Sequence, residues 1–129
     1  MSDAQQDRFA LVLRPDGVFK VIDWPKDGHL PILYREIGCT AVDVVDLSRT
    51  LSMWLDDEGL INGSDANCAA TILYALHHAP HQTYHGTVVL TGGTDRHGDT
   101  LGLTKDKVAE LLEFHLTFSG ARIPSQRTK

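Results

Sequence analysis

The sequence is poor in cysteine and has no long apolar run, and each absence excludes a class of protein. Its two cysteines are too few for a disulfide framework, so we interpret Cys39 and Cys68 as buried thiols in a reducing cytoplasm. No apolar run approaches the roughly 18 residues that a membrane-spanning helix needs. The opening residues MSDAQQDR contain no basic segment followed by an apolar one, so no secretory signal is expected. We therefore expect a cytoplasmic protein that does not associate with membranes.

Positive charge is scarce in the middle of the first half of the chain. The chain of 129 residues has a net charge of −5, and Arg49 is the only basic residue between positions 36 and 65. That acidic band contains Glu36, Asp43, Asp46, Asp56, Asp57, Glu58 and Asp65. Direct nucleic-acid binding is not expected, because it needs a basic face. The band is either a solvated surface or a surface that attracts a basic partner or imitates nucleic acid.

Turn and strand signals dominate the first half of the chain. FALVLRPDGVFKVIDW (9–24) predicts a hairpin whose turn is formed by Pro15, Asp16 and Gly17. LPILYREIG (30–38) predicts a short helix that begins at Pro31 and ends at Gly38. Residues 39–47 and 50–57 have the β-branched and aromatic content of strands.

The second half predicts two helices around a strand. ANCAATILYALHHA (66–79) has helical spacing and is predicted to end at Pro80; we expect Ser64 or Asp65 to cap it and Ala69, Ile72, Leu73 and Leu76 to form its apolar face. GTVVLTGG (86–93) predicts a strand, and TLGLT (100–104) a return to extended structure.

The last predicted helix is KDKVAELLEFHLTF (105–118), capped by Thr104, with Val108, Leu111, Leu112 and Phe118 on its apolar side. These elements predict one α+β domain over residues 1–121, with a mainly antiparallel sheet of about five to six strands packed by two to three helices. Residues 122–129 form a short basic tail that we expect to be frayed.

The histidines cluster in HHAPHQTYH (77–85), where His77, His81 and His85 are weak candidates for zinc ligands. His77 and His81 have the spacing of one helical face, but Pro80 lies between them. No HExxH pattern is present. We interpret the cluster as a polar helix end, and we expect neither a metal nor a cofactor.

Asp56, Asp57 and Glu58 could support acid–base catalysis if a pocket shifted one pKa. Three consecutive carboxylates before a glycine are also typical of an exposed turn. Cys68 lies near a helix N-terminus, which can activate a thiol, but its small apolar neighbours favour burial. No complete catalytic set is recognised, and we expect no enzymatic activity.

The stretch LTGGTDRHGDTLGLT (90–104) resembles a phosphate-binding loop in its glycine content alone. Asp99 follows Gly98 where a P-loop requires lysine, and no Rossmann or EF-hand pattern is present. The pattern instead predicts a hairpin in which Gly92 and Gly93 loosen the strand end and DRHG makes the reversal. Such a hairpin either connects two elements or also contacts a ligand or partner, through Gly92, Gly93, Asp95 and Asp99.

Three segments of the chain resemble a domain family of unknown function found in actinobacteria and their phages. They are WLDDEGLING (54–63), NCAATILYAL (67–76) and GTVVLTGGTDRHGDTLGLT (86–104). The resemblance implies a small cytoplasmic protein of a mobile element. Asp57, Glu58 and Asn67, which lie in these segments, are further candidate binding residues. The family pattern has an Arg-Ala-Thr-like run after the asparagine, where this chain has Cys68-Ala69-Ala70-Thr71.

The sequence therefore predicts a non-enzymatic binding module, encoded by a phage or mobile element, that engages a host protein or a small ligand. Two alternatives stay open. One is a small enzyme that uses a metal or the carboxylates, and the other is an acidic competitor of DNA for a DNA-binding enzyme. A homodimer formed through Trp24, Trp54 or free strand edges is also considered.

Overall fold

A computed structural model describes residues 8–25, 28–57, 65–78 and 83–118. In chain order, its elements are β1 (Phe9–Leu13), β2 (Phe19–Asp23), α1 (His29–Ile37), β3 (Val42–Ser48), β4 (Leu51–Asp56), α2 (Cys68–His77), β5 (Val88–Thr91) and α3 (Lys105–Phe118). The described residues thus form an α+β fold with a five-stranded antiparallel sheet and three helices, as predicted. The predicted frayed tail, 122–129, lies outside the described residues.

The strand order in the sheet is β2-β1-β5-β4-β3, so β5 is inserted between the two hairpins of the first half of the chain. The turn of the β1–β2 hairpin forms as predicted. Arg14 N–H donates to the Val18 carbonyl at 2.9 Å, Val18 N–H donates to Asp16 Oδ1 at 3.0 Å, and Gly17 has a φ of 91°. That positive φ explains the glycine, since other residues rarely adopt it.

Both faces of the sheet are covered, because alternate residues of a strand point to opposite sides. Leu11 and Leu13 of β1 face a larger core that includes residues of α2 and α3. Ala10 and Val12 face a smaller core that includes Leu33 of α1. The central strand β5 is buried throughout, which fixes the position of the residues that follow it.

The ends of the helices confirm two predictions and correct two others. Helix α1 ends at Gly38 as predicted, where the φ of 80° favours glycine, but it begins at His29, two residues before Pro31. Thr104 caps α3 as predicted, since its Oγ1 accepts from Lys107 N–H at 3.1 Å. The cap of α2 is Asn67, whose side chain accepts from Ala70 N–H. Asp65 is therefore not the cap, and Ser64 lies outside the described residues.

The apolar face predicted for α2 is only partly correct. The buried residues of this helix are Ala69, Ala70, Leu73 and Tyr74. The buried stripe is centred between Ala70 and Leu73, so Leu76 lies beyond its edge and is 64% exposed. On α3, Val108 and Leu111 are buried as predicted.

The predicted burial of the cysteines is wrong for Cys68, which is exposed, while Cys39 is half-buried. Cys68 is the first residue of α2 and precedes the buried stripe. Trp24 is 5% exposed and Trp54 is half-buried. Their indole N–H groups donate to the Thr100 carbonyl at 3.2 Å and to Thr91 Oγ1 at 3.0 Å. Both indole N–H groups are therefore used within the fold.

Among the described residues, no helix combines the length and the apolar character that crossing a bilayer requires.

Candidate functional site

The segment that leaves β5 folds back on itself as a narrow loop. Gly92 N–H donates to the Leu101 carbonyl at 2.9 Å, and Leu101 N–H donates to the Gly93 carbonyl at 2.8 Å. An antiparallel bridge between Thr94 and Thr100 extends this pairing. The predicted reversal is therefore present, although its returning arm forms isolated bridges instead of a strand.

Asp95 closes the tip of the loop in the turn role that the sequence predicts. Its Oδ1 accepts from His97 N–H at 2.8 Å and from Asp99 N–H at 3.0 Å, while Gly98 has a φ of 86°. The hydrogen bond from the Asp99 backbone, helped by that from His97, lowers the pKa of Asp95 although desolvation opposes it. The Asp95 carboxylate therefore stabilises the turn.

Gly92 and Gly93 are buried and allow two close backbone contacts. A Cβ atom on Gly92 would collide with the Gly102 carbonyl, and a Cβ atom on Gly93 would collide with the Arg49 carbonyl. The expectation that these glycines loosen the strand end is therefore wrong. Because they lack side chains, the loop packs tightly on its own return and on the β3–β4 turn.

A cleft of about 320 Å³ opens around these glycines. Arg49 and Thr50 of the β3–β4 turn form one wall, and Gly92–Thr94 form another. Leu101–Thr104 and Lys107, at the start of α3, complete it. The β3–β4 turn, which is distant in sequence, thus meets the loop after β5 and the start of α3 at one end of the sheet.

The charged side chains that line the cleft are both basic. Arg49 is exposed, and among the described residues its side chain has no hydrogen-bond or ion-pair partner. Lys107 Nζ lies 3.2 Å from Glu110 Oε1, in an ion pair whose glutamate is 70% exposed. The described lining therefore carries two positive side chains and no negative one, in a chain of net charge −5.

The remaining polar side chains of the lining are uncharged threonines. Thr50, Thr94 and Thr104 bring hydroxyl groups to the lining, and α3 begins beside the cleft, where the Lys107 N–H already donates to Thr104 Oγ1. No carboxylate, imidazole or thiol is among the described residues of the lining. The lining therefore offers a ligand two positive charges and several hydroxyl groups.

The comparison with family models gives one match, to the family described as Domain of unknown function (DUF3846), over residues 8–115. The chain belongs to this family. The match covers all five strands, the cleft and most of α3. Neither the comparison with curated proteins nor that with solved structures gives a match.

Within the DUF3846 domain, the predicted binding residues do not form one site. Gly92 and Gly93 line the cleft, and Asp95 and Asp99 lie in the adjoining turn. Ser52 pairs with Thr91, next to Gly92, so this end of β4 lies near the cleft. Asp57 is exposed and lies at the opposite end of β4. Asp57 follows Ser52 by five positions, which corresponds to about 17 Å of extended chain. Glu58 lies outside the described residues.

Asn67 is fully buried, and its amide is used entirely within the DUF3846 fold. Its Nδ2 donates to the Leu13 carbonyl at 3.1 Å and to the Gly86 carbonyl at 2.9 Å, while its Oδ1 accepts from Ala70 N–H at 3.0 Å. One side chain thus caps α2 and joins it to β1 and to the segment before β5. We leave Asn67 out of the proposed site.

The histidine candidates are also separated from the cleft. His77 Nδ1 lies 3.0 Å from the Leu73 carbonyl of its own helix, and His85 forms a bridge with Ala66. His81 lies outside the described residues. In the ranges that the structure describes, no three His, Cys, Asp or Glu side chains are grouped as they would be around a metal ion.

Sequence reasoning missed Arg49, Thr50 and Lys107 as site residues. Arg49 could have been noticed in the sequence, because it is the single basic residue of the acidic band. Nothing in the sequence distinguishes Lys107, since its position at the cleft depends on where the start of α3 packs.

Proposed function

We propose that this domain is a non-enzymatic binding module and that the cleft beside Gly92 and Gly93 binds a small ligand. The observation that carries the proposal is a cleft built from three segments, with a backbone floor and two basic side chains. Its volume is at the lower end of the roughly 300–1,000 Å³ of small-molecule pockets. The tight backbone contacts of both glycines support a preformed shape, which lowers the cost of binding.

The position of the carboxylates favours binding over catalysis. Asp56 and Asp57 lie at the other end of β4, so neither reaches a ligand in the cleft. Asp95 holds its turn through two backbone N–H groups. The described lining contains no carboxylate or imidazole, the side chains that most often act as general acid or base, and its charged groups are the Arg49 guanidinium and the Lys107 ammonium.

The test is retention of a ligand by the purified domain in equilibrium dialysis against a bacterial metabolite extract, read by mass spectrometry. Thr94→Trp places an indole at the cleft wall, and Thr40→Trp makes the same change at an exposed position outside it. We expect a small molecule that the wild type and Thr40→Trp retain and that Thr94→Trp loses. Retention by both variants, or by none of the three proteins, would contradict the proposal; circular dichroism checks that each is folded.

We further propose that the domain is encoded by an actinobacterial phage or mobile element and works in the host cytoplasm, where a host protein is the alternative occupant of the cleft. The support is the resemblance of its three sequence segments to such a family. Genes that flank close homologues test the origin: phage or integration genes are expected, and a uniform metabolic operon would contradict it. Capture of one host protein by wild type and Thr40→Trp, but not by Thr94→Trp, would identify a protein occupant.

A further inference from the structure

We infer that the ligand of the cleft carries a phosphate group, which Arg49 and Lys107 bind from two sides. This inference rests on the proposed function, because it names the chemical class of ligand for the same cleft. The proposed site is not a P-loop, because Asp99 stands where that motif requires lysine. The cations come from the β3–β4 turn and from α3, not from the glycine-containing loop itself.

The state of the two cations supports an anionic ligand. The Arg49 side chain has no hydrogen-bond or ion-pair partner in the described part of the chain, so its guanidinium is available to a ligand in the cleft. The ion pair of Lys107 is exposed, and such pairs are weak, so its ammonium can turn to a ligand at little cost. A guanidinium and an ammonium at one cleft bind phosphate well.

The hydrogen-bond donors of the cleft favour phosphate over carboxylate. Threonine hydroxyls stand on three different walls, at Thr50, Thr94 and Thr104, and the positive end of the 14-residue helix α3 opens beside them. Phosphate is tetrahedral and presents three strong acceptor oxygens to donors in several directions. A planar carboxylate presents two. Leu101 is half-buried and gives the organic part of a phosphate ester an apolar contact.

The nearby carboxylates do not occupy the cleft. Asp95 points into its own turn, and Asp99 is exposed beyond it. Asp106 and Glu110 are exposed on the adjoining outer surface of α3. These charges weaken the positive potential and are screened by salt over about 8–10 Å. A phosphate in direct contact with Arg49 and Lys107 would lie much closer to them than this screening length, so salt would leave that attraction largely intact.

The experiment is an NMR titration at constant ionic strength, with the amide of Gly93 as reporter and AMP, inorganic phosphate and adenosine as probes. AMP is expected to bind at least about 10-fold more tightly than adenosine, because a hydrogen bond to a charged group is worth that factor or more. Binding of AMP above inorganic phosphate would identify a phosphate ester as the ligand. Equal binding would identify free phosphate. Failure of both phosphate probes to shift the amide, or equal affinity for AMP and adenosine, would overturn the inference.

Three charge-removing variants locate the effect. Arg49→Gln and Lys107→Gln are each expected to weaken AMP binding about 10-fold or more. Arg96→Gln makes the same change in net charge at an exposed position outside the lining, and should bind as the wild type does. Equal loss in all three variants would overturn the inference, since it would reflect net charge alone. A ligand retained through the cleft by dialysis but lacking phosphate, and insensitive to both cleft variants, would overturn this inference while leaving the proposed function intact.

Discussion

Replacing Asn67 with alanine should destabilise the domain far more than the loss of an ordinary helix cap. The side chain is fully buried and makes three hydrogen bonds, to Ala70 N–H and to the carbonyls of Leu13 and Gly86. Loss of the cap costs about 1 kcal/mol. Loss of each carbonyl bond adds about 1 kcal/mol, and leaving a buried carbonyl unsatisfied raises that cost. We therefore expect Asn67→Ala to lower the free energy of unfolding by about 3 kcal/mol.

Two variants separate the cap from the other bonds. Asn67→Ser keeps an oxygen that can cap α2 but lacks the two amide donors, so it should cost about 2 kcal/mol. Thr104→Ala removes the single side-chain bond that caps α3 and should cost about 1 kcal/mol. Urea denaturation gives these differences from the midpoints, provided that the m-values agree.

The order of the three variants is the test. Because domains are commonly stable by only about 5–15 kcal/mol, a loss of about 3 kcal/mol is easily measured. If Asn67→Ala costs no more than Thr104→Ala, the two carbonyl bonds contribute nothing to folding. The reasoning that removes Asn67 from the ligand site would then be refuted.

Three further predictions follow from single contacts. Gly93→Ala should destabilise more than Gly98→Ala, since the first places a Cβ against a backbone carbonyl, while the second meets open space and costs about 1–2 kcal/mol for its positive φ; equal urea midpoints would contradict this. Burial opposes ionisation of Glu36, but its hydrogen bonds to Lys20 and Arg35 prevail and lower its pKa. The resulting stability is present above the ordinary value of 4.5 and is lost as pH falls through the lower folded pKa. Glu36→Gln should therefore flatten the dependence of the free energy of unfolding on pH below about pH 4.5, and a profile identical to that of the wild type would contradict this. Burial, with Asp56 nearby, raises the pKa of the Cys39 thiol, so iodoacetamide at neutral pH should modify the exposed Cys68 first, and mass spectra showing Cys39 first would contradict it.

Local signals predicted much of the fold. Asp16 and Gly17 identify the first hairpin because the turn itself requires an Asx oxygen and a positive φ. Gly38 and Thr104 mark helix ends for similar short-range reasons. Each of these residues acts on neighbours within a few positions, so the sequence pattern carries the information.

The cleft could not be predicted in the same way, because it depends on the pairing of β5 with β4. That register brings the β3–β4 turn beside Gly92 and Gly93, and only then does Arg49 meet the start of α3. The sequence pattern singles out the two glycines, but the close backbone contacts that they allow are set by partners elsewhere in the chain. The three contacts of Asn67 depend on the fold for the same reason, since two of its three partners are far along the chain.

The crystal structure of the domain with AMP, grown without phosphate or sulfate, tests the central claim most directly. The account predicts electron density for the phosphate in the cleft, between the Arg49 guanidinium and the Lys107 ammonium and beside Gly92 and Gly93. Density at another surface, such as the Asp57 end of β4, or an empty cleft at a saturating AMP concentration, would contradict it.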